Sequence, residues 1–220
     1  MSSSPPPDHD RQPTTAHLGW APGAGQDVVA GSLLIAMPVL ADSNFSHTVV
    51  FLLEHSADGT VGVVLNRPSE VRLEHVLPTW AALATGSEVF HVGGPCQTDA
   101  ALCLARGDLL DARVVIDGGR SELAAVGLKP AGTGIFLADL DIEPVPSAQL
   151  INDIRVFAGY AGWSAGQLSA EIAEGAWLCL PSLPEDVFTP TPTTLWRSVL
   201  SRQRGPLGIL RSAPEDPALN

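Results

Sequence analysis

The sequence predicts a single α+β domain, and three observations carry that class. The 220 residues are 45% apolar and 16% charged, against about 25% charged in an average globular chain, so the composition is that of a folded protein. A chain of 23.0 kDa can bury roughly 70% of its unfolded surface, enough for one sizeable core. From residue 31 to residue 200, short apolar runs alternate with turn signals, without a linker-like break or an internal repeat. At least one alternation is a hairpin signal, which favours strands mixed with helices over a purely parallel βαβ fold.

In chain order, residues 31–37 (Gly-Ser-Leu-Leu-Ile-Ala-Met) form an apolar run closed by Pro38, which reads as a strand. Residues 48–53 are apolar on both faces, as in a central strand covered on two sides. Asp58-Gly59 separates them from residues 61–65, and apolar runs flanking such a pair predict a hairpin. Leu73, Val76, Leu77, Trp80 and Leu83 fall near helical spacing, with Pro78 breaking or starting a helix among them. Residues 88–92, 114–116 and 135–140 read as short strands, and 154–160 as a further apolar stretch. A helix is expected after Gly162-Trp163. Ser164 caps it, Gln167 reaches back as in a capping box, Leu168 and Ile172 share one face, and Gly175 ends it. Residues 177–180 return as a strand. Thr191-Pro192 opens the last helix, 193–203, with Leu195, Trp196, Val199 and Leu200 as its apolar face. Residues 1–26 and 212–220 hold little to bury and read as flexible tails, leaving 27–211 as the single domain.

Charge and cysteine usage narrow the function classes. The formal charge is −12 and the sole lysine is Lys129, which argues against direct nucleic-acid binding, since phosphate neutralisation needs clustered cations. Four arginines (Arg197, Arg202, Arg204, Arg211) gather near the C-terminus, where cations suit the end of a helix. No secretory signal and no run of 18 uncharged apolar residues is visible, so no membrane partner is expected. Three widely spaced cysteines, Cys96, Cys103 and Cys179, suit buried thiols in a reducing cytosol.

Several residues are candidates for chemistry. Gly162-Trp163-Ser164-Ala165-Gly166 matches the GxSxG nucleophile elbow, but all six histidines precede Ser164, contrary to the hydrolase order, and capping already accounts for the serine. Gly93-Gly94-Pro95 follows a strand; it either offers backbone N–H groups to an anion or permits a close backbone approach, and the second reading is preferred. Asn66-Arg67-Pro68 ends the hairpin, where Arg67 can clamp an anion or form an ion pair with Glu70 or Glu54. Asp139, Asp141 and Glu143 alternate, and His47, Glu54, His55 and His91 are donors, but neither set has the spacing of a strong metal template, so no metal is expected. Cys96 has no Lys or Arg near it in sequence and reads as an inert thiol.

Taken together, residues 31–38, 42–55, 62–68 (Gly-Val-Val-Leu-Asn-Arg-Pro), 92–95 and 159–177 (Gly-Tyr-Ala-Gly-Trp-Ser-Ala-Gly-Gln-Leu onward) carry a resemblance. The chain resembles the AlgH/YqgE family of small bacterial proteins over about 31–200. Asn66, Arg67 and Pro68 match its NRP segment; Gly93, Gly94 and Pro95 match its GGP turn; Gly159, Tyr160, Gly162, Trp163, Gly166 and Gln167 match its GYAGW-GQL segment. The resemblance implies a bent, partly barrel-like mixed sheet surrounded by helices, in the cytosol. It also implies a link, for some members, to transcriptional regulation, without a reaction, cofactor or ligand to carry over.

The expectation is therefore a non-enzymatic cytosolic binding or regulatory protein that engages a partner protein or small molecule. Asn66, Arg67, Gly93, Gly94 and Trp163 are its candidate binding residues. The alternative is a hydrolase or transferase gathering His47, His55 or His91 with a carboxylate and Cys96 or Arg67 in one cleft.

Overall fold

The architecture follows from one long strand that changes neighbours halfway. The computed structural model describes residues 27–40, 42–107, 113–116, 119–144 and 150–203, so the tails expected at 1–26 and 212–220 lie outside the described residues. Strands β1 (Ser32–Ala36), β2 (Val49–Ser56) and β3 (Gly59–Val64) form an antiparallel meander. The predicted hairpin is present, with Ser56 opposite Gly59 across Ala57 and Asp58. Its glycine is required by contact, because a Cβ on Gly59 would lie 2.6 Å from the Trp163 carbonyl.

After β4 (Pro68–Arg72) come two single-turn helices, α1 (Leu73–Val76) and α2 (Pro78–Ala81), divided at Pro78 as the proline predicts. Next are β5 (Val89–Val92), β6 (Cys96–Arg106), the small separate hairpin of β7 (Arg113–Ile116) and β8 (Gly119–Glu122), then β9 (Leu128–Gly132) and β10 (Ile135–Ala138). The long strand is β11 (Asp153–Ser164). It is followed by α3 (Gln167–Ala173), β12 (Trp177–Pro181), α4 (Pro184–Val187) and α5 (Leu195–Ser201).

Strand order is β12-β1-β2-β3-β11-β6-β10-β9, with β4 and β5 attached beside β11. Every pairing is antiparallel except β5 against β11, which makes the sheet mixed. Residues 153–160 of β11 pair with β6, whereas 161–164 pair with β3 on the other flank. The register shifts between Ala158 and Tyr160, and the intervening Gly159 has φ +71°, a conformation that costs glycine little. This bend curls the main sheet, antiparallel but for that one pairing, into a half-barrel.

Alternation along the strands sorts the core into a concave interior and two outer layers. Leu33 and Ile35, Val49 and Phe51, Leu104, Ile135 and Phe157 fill the interior with Trp196 and Leu200 of α5. Trp196 Nε1 donates to the Ala36 carbonyl at 2.8 Å, tying α5 to β1. Leu34, Ala36, Val50 and Leu52 face the opposite way, towards Trp163, Trp177 and Leu168 of α3. Phe90, Cys103, Phe136 and Val156 pack with Leu73 and Trp80 of α1 and α2 on the remaining outer face.

The structure corrects one expected boundary. Ser164 ends β11 instead of capping a helix, and α3 begins only after Gly166, whose φ is +74°. Gln167 still reaches back, as its Oε1 accepts from the Ser164 N–H at 3.0 Å, but the reciprocal bond of a capping box is missing.

Candidate functional site

The residues of the NRP and GGP segments meet where β3, β5 and β11 converge. Val64 N–H donates to the Gly93 carbonyl, Gly93 N–H to Ala158, and Val92 N–H to the Arg67 carbonyl, each at 2.8 Å. Gly93 and Gly94 are buried, with no room for a side chain: a Cβ on either would lie 2.2 Å from the Gly159–Tyr160 backbone. Of the two readings of this turn, close backbone approach is the one the geometry displays.

Asn66 and Arg67 face the loop of residues 42–48. Asn66 Oδ1 accepts from Val49 N–H at 2.9 Å and its Nδ2 donates to the His47 carbonyl at 2.8 Å. Arg67 pairs with neither Glu70 nor Glu54; its guanidinium donates to the carbonyls of Ser43 and Ser46. Partial burial lowers the Arg67 pKa, against the opposing charge of Asp42. The loop so held places His47 at φ +57°, its ring edge-on to Trp196 with centroids 4.6 Å apart.

Trp163 is buried among aromatic rings. It stacks on Phe45 at 6.0 Å and meets Trp177 edge-on at 5.6 Å. Glu171 Oε2 accepts from both indole N–H groups, at 3.0 Å from Trp163 and 2.8 Å from Trp177, and Gln167 secures Oε1 at 2.9 Å. This polar set belongs to the packing of α3 on the sheet.

The histidines have different partners. His47 and His55 sit eight positions apart around β2, about 26 Å along an extended chain. His55 lines a pocket of about 370 Å³ that also holds Ser164, Thr60 and Ser169. There, however, His55 Nδ1 meets Thr60 Oγ1 at 2.7 Å while Ser164 Oγ donates to Gln167 Oε1 at 3.1 Å. His91 is fully buried beside Phe157, with neither ring nitrogen partnered. Burial, reinforced by the charge of Arg155 and partly offset by the nearby Val89 backbone, pushes its pKa down to about 3. Arg155 is itself buried and donates to the Val187 and Thr189 carbonyls at 2.6 Å. Burial lowers its pKa to about 10, partly offset by Asp153, so it stays charged at neutral pH.

Among the cysteines, burial raises Cys103 to about 12 and also raises Cys179, while Cys96, expected to be buried with them, is only half-buried because it opens β6 at the sheet's surface. Arg202 is committed to buried Asp186 at 2.8 Å; Arg204 and Arg211 lie outside the described residues. Among the described residues, no group of three or more His, Cys, Asp or Glu is placed to hold a metal. Nor is any helix there long and apolar enough to cross a membrane.

The feature that sequence reading missed is a cleft against β6, β9 and β10. It has a volume of about 520 Å³, within the range of small-molecule sites. Leu102 of β6 and Leu137 of β10 form its floor, Leu128 and Leu140 its flanks, and Lys129, Asp139 and Asp141 its rim. Lys129 lies directly across from Leu137 on the edge strand β9 and reaches Glu54 of β2 at 2.8 Å. Beyond that ion pair a smaller hollow of about 220 Å³ continues past Leu53, Ala131 and Tyr160. No short-range pattern signals this cleft, because its walls come from β6, β9, β10 and the turns beside them, spread over residues 101–141.

These features define the class of protein: a one-domain half-barrel with a bent long strand and a cleft lined by β6, β9 and β10. The model of the AlgH-like family matches residues 33–208, and the chain belongs to that family. The UPF0301 protein SCO2948 of Streptomyces coelicolor is 45% identical over 192 residues, which cover 87% of this chain and 95% of that protein. A UPF0301 protein of Mycobacteroides abscessus is 46% identical over 191 residues, covering 87% and 88%. The crystal structure of protein DIP2367 from Corynebacterium diphtheriae aligns with TM-score 0.77 at 28% identity, covering 86% of this chain and 94% of that one. The solution structure of AlgH from Pseudomonas aeruginosa aligns at 0.59 and 30% identity, covering 84% and 93%.

Proposed function

We propose that the chain is a non-catalytic binding protein and that the cleft over Leu102 and Leu137 seats a small ligand. The observation that carries this reading is the cleft itself: an apolar floor, a charged rim and a ligand-sized volume. In support, His55 and Ser164 hydrogen-bond to other residues although they share a pocket. Asn66, Arg67, Gly93, Gly94 and Trp163 serve this function by holding the bend and its loop in shape. We place the protein in the cytosol, in keeping with its three free thiols. Any regulation of transcription would pass through the bound ligand or a protein partner, since a charge of −12 opposes contact with DNA.

The test is a screen of small apolar and amphipathic compounds by amide spectra of the labelled full chain. Shifts gathered at Leu102, Lys129, Leu137 and Asp139, and abolished by Leu137→Arg in a folded variant, are the expected outcome. A screen whose hits all perturb other surfaces, or none, refutes the reading.

A further inference from the structure

Resting on the cleft as the ligand seat, we propose that its ligand is a small organic cation: a primary or secondary ammonium group carried on an alkyl or aryl body. The argument is one of charge complementarity over an apolar floor. Lys129, the one cation on the rim among the described residues, is already engaged by Glu54 at 2.8 Å. Asp139 and Asp141 are both exposed, and no described cation pairs with either; the polar contact between them is the Asp141 N–H donated to Asp139 Oδ1 at 3.0 Å. Among the described residues the rim therefore presents two carboxylates without a paired cation, beside Leu137, Leu140 and Leu102.

Three ligand classes fare differently there. An anion must part Lys129 from Glu54 and then lie near Asp139 and Asp141, in a protein whose formal charge is already −12. A neutral apolar molecule gains the floor but nothing from the rim. An ammonium gains both, because its body covers the leucines while its N–H donors reach carboxylates that no described cation engages. The overall negative charge also draws cations towards the surface.

The experiment titrates hexylammonium, hexanol and hexanoate, matched in chain length, into the labelled full chain at fixed ionic strength. It is repeated with Asp139→Asn, Asp141→Asn and the double variant. Asparagine at 139 retains the oxygen that accepts from Asp141 N–H, so the turn survives while the charge is lost. Hexylammonium should shift the amides of Leu102, Leu137, Asp139 and Asp141 and bind at least five-fold more tightly than hexanol. Each Asp→Asn change should weaken it about two- to five-fold, the scale of an exposed ion pair, with no effect on hexanol. If hexanol or hexanoate matches hexylammonium at these residues, the cation inference falls and the cleft reading stands. If none of the three perturbs the cleft, the cation inference falls, and the wider screen decides the cleft reading.

Discussion

Mild acid should weaken this fold through His91, and by a calculable amount. The imidazole is fully buried, both its nitrogens lack partners, and the charge of Arg155 lies close enough to oppose a second positive charge. Its folded pKa is about 3, lowered from 6.5. The unfolded chain therefore binds one proton more than the folded chain between those values, so stability falls as pH falls, by about 1.4 kcal/mol per unit at the steepest. Between pH 7.5 and pH 5 the loss from this residue is about 2 kcal/mol, in a range where ordinary carboxylates remain ionised. Urea denaturation of the wild type and of His91→Phe at the two pH values isolates the effect, because phenylalanine fills similar space beside Phe157 without titrating. The wild type should lose about 2 kcal/mol more than the variant on going to pH 5. Equal losses in the two proteins, or a wild-type loss below about 0.5 kcal/mol, would refute the assignment of a buried neutral imidazole.

Gly94→Ala should prevent stable folding or cost more than about 3 kcal/mol, since its Cβ would overlap the Tyr160 backbone. Gly166→Ala, with φ +74° but open space around it, should cost only about 1 kcal/mol by urea denaturation. Arg67→Ala removes the donor that gathers the Ser43 and Ser46 carbonyls; hydrogen exchange should accelerate across residues 42–48, with a global loss of about 1 kcal/mol. In native protein a thiol reagent should modify Cys96 well ahead of Cys103 and Cys179, and the difference should vanish in urea.

What could be read from the sequence depended on how local the signal was. β1, β2 and β12 are apolar runs buried on both faces, and Pro78 divides α1 from α2. β6 escaped because it opens on Cys-Gln-Thr-Asp without alternation, and its apolar run at 100–105, which becomes buried only from Cys103, has no turn signal before it. β9 escaped because Pro130 and Gly132 resemble a loop, although an edge strand tolerates both. β11 was cut short at Tyr160 since Gly162 suggested a turn, when the strand continues through it to pair with β3. Of the site residues, the NRP and GGP segments were recognisable, but not what they touch. The Lys129–Glu54 pair joins positions 75 apart and depends on the curl of the whole sheet.

That contrast has a physical origin. β6 flanks the first part of β11, but the other flank is shared by β5 at Phe157 and Ala158 and by β3 from Ala161 onward. A strand that changes partners in this way must bend. Here the bend brings Gly93, Gly94 and Gly159 together with less room than any side chain needs. Beside them Asn66 and Arg67 pin the loop that leads into β2. The residues by which the chain is recognised thus lie where the backbone is most constrained, which accounts for their identity without a ligand. Leu102, Lys129, Leu137, Asp139 and Asp141 lie outside every one of those segments. Residues that specify the half-barrel and residues that would select its ligand are then separate sets, so substitutions on the cleft rim should alter binding at little cost in stability, whereas substitutions at the bend should do the reverse.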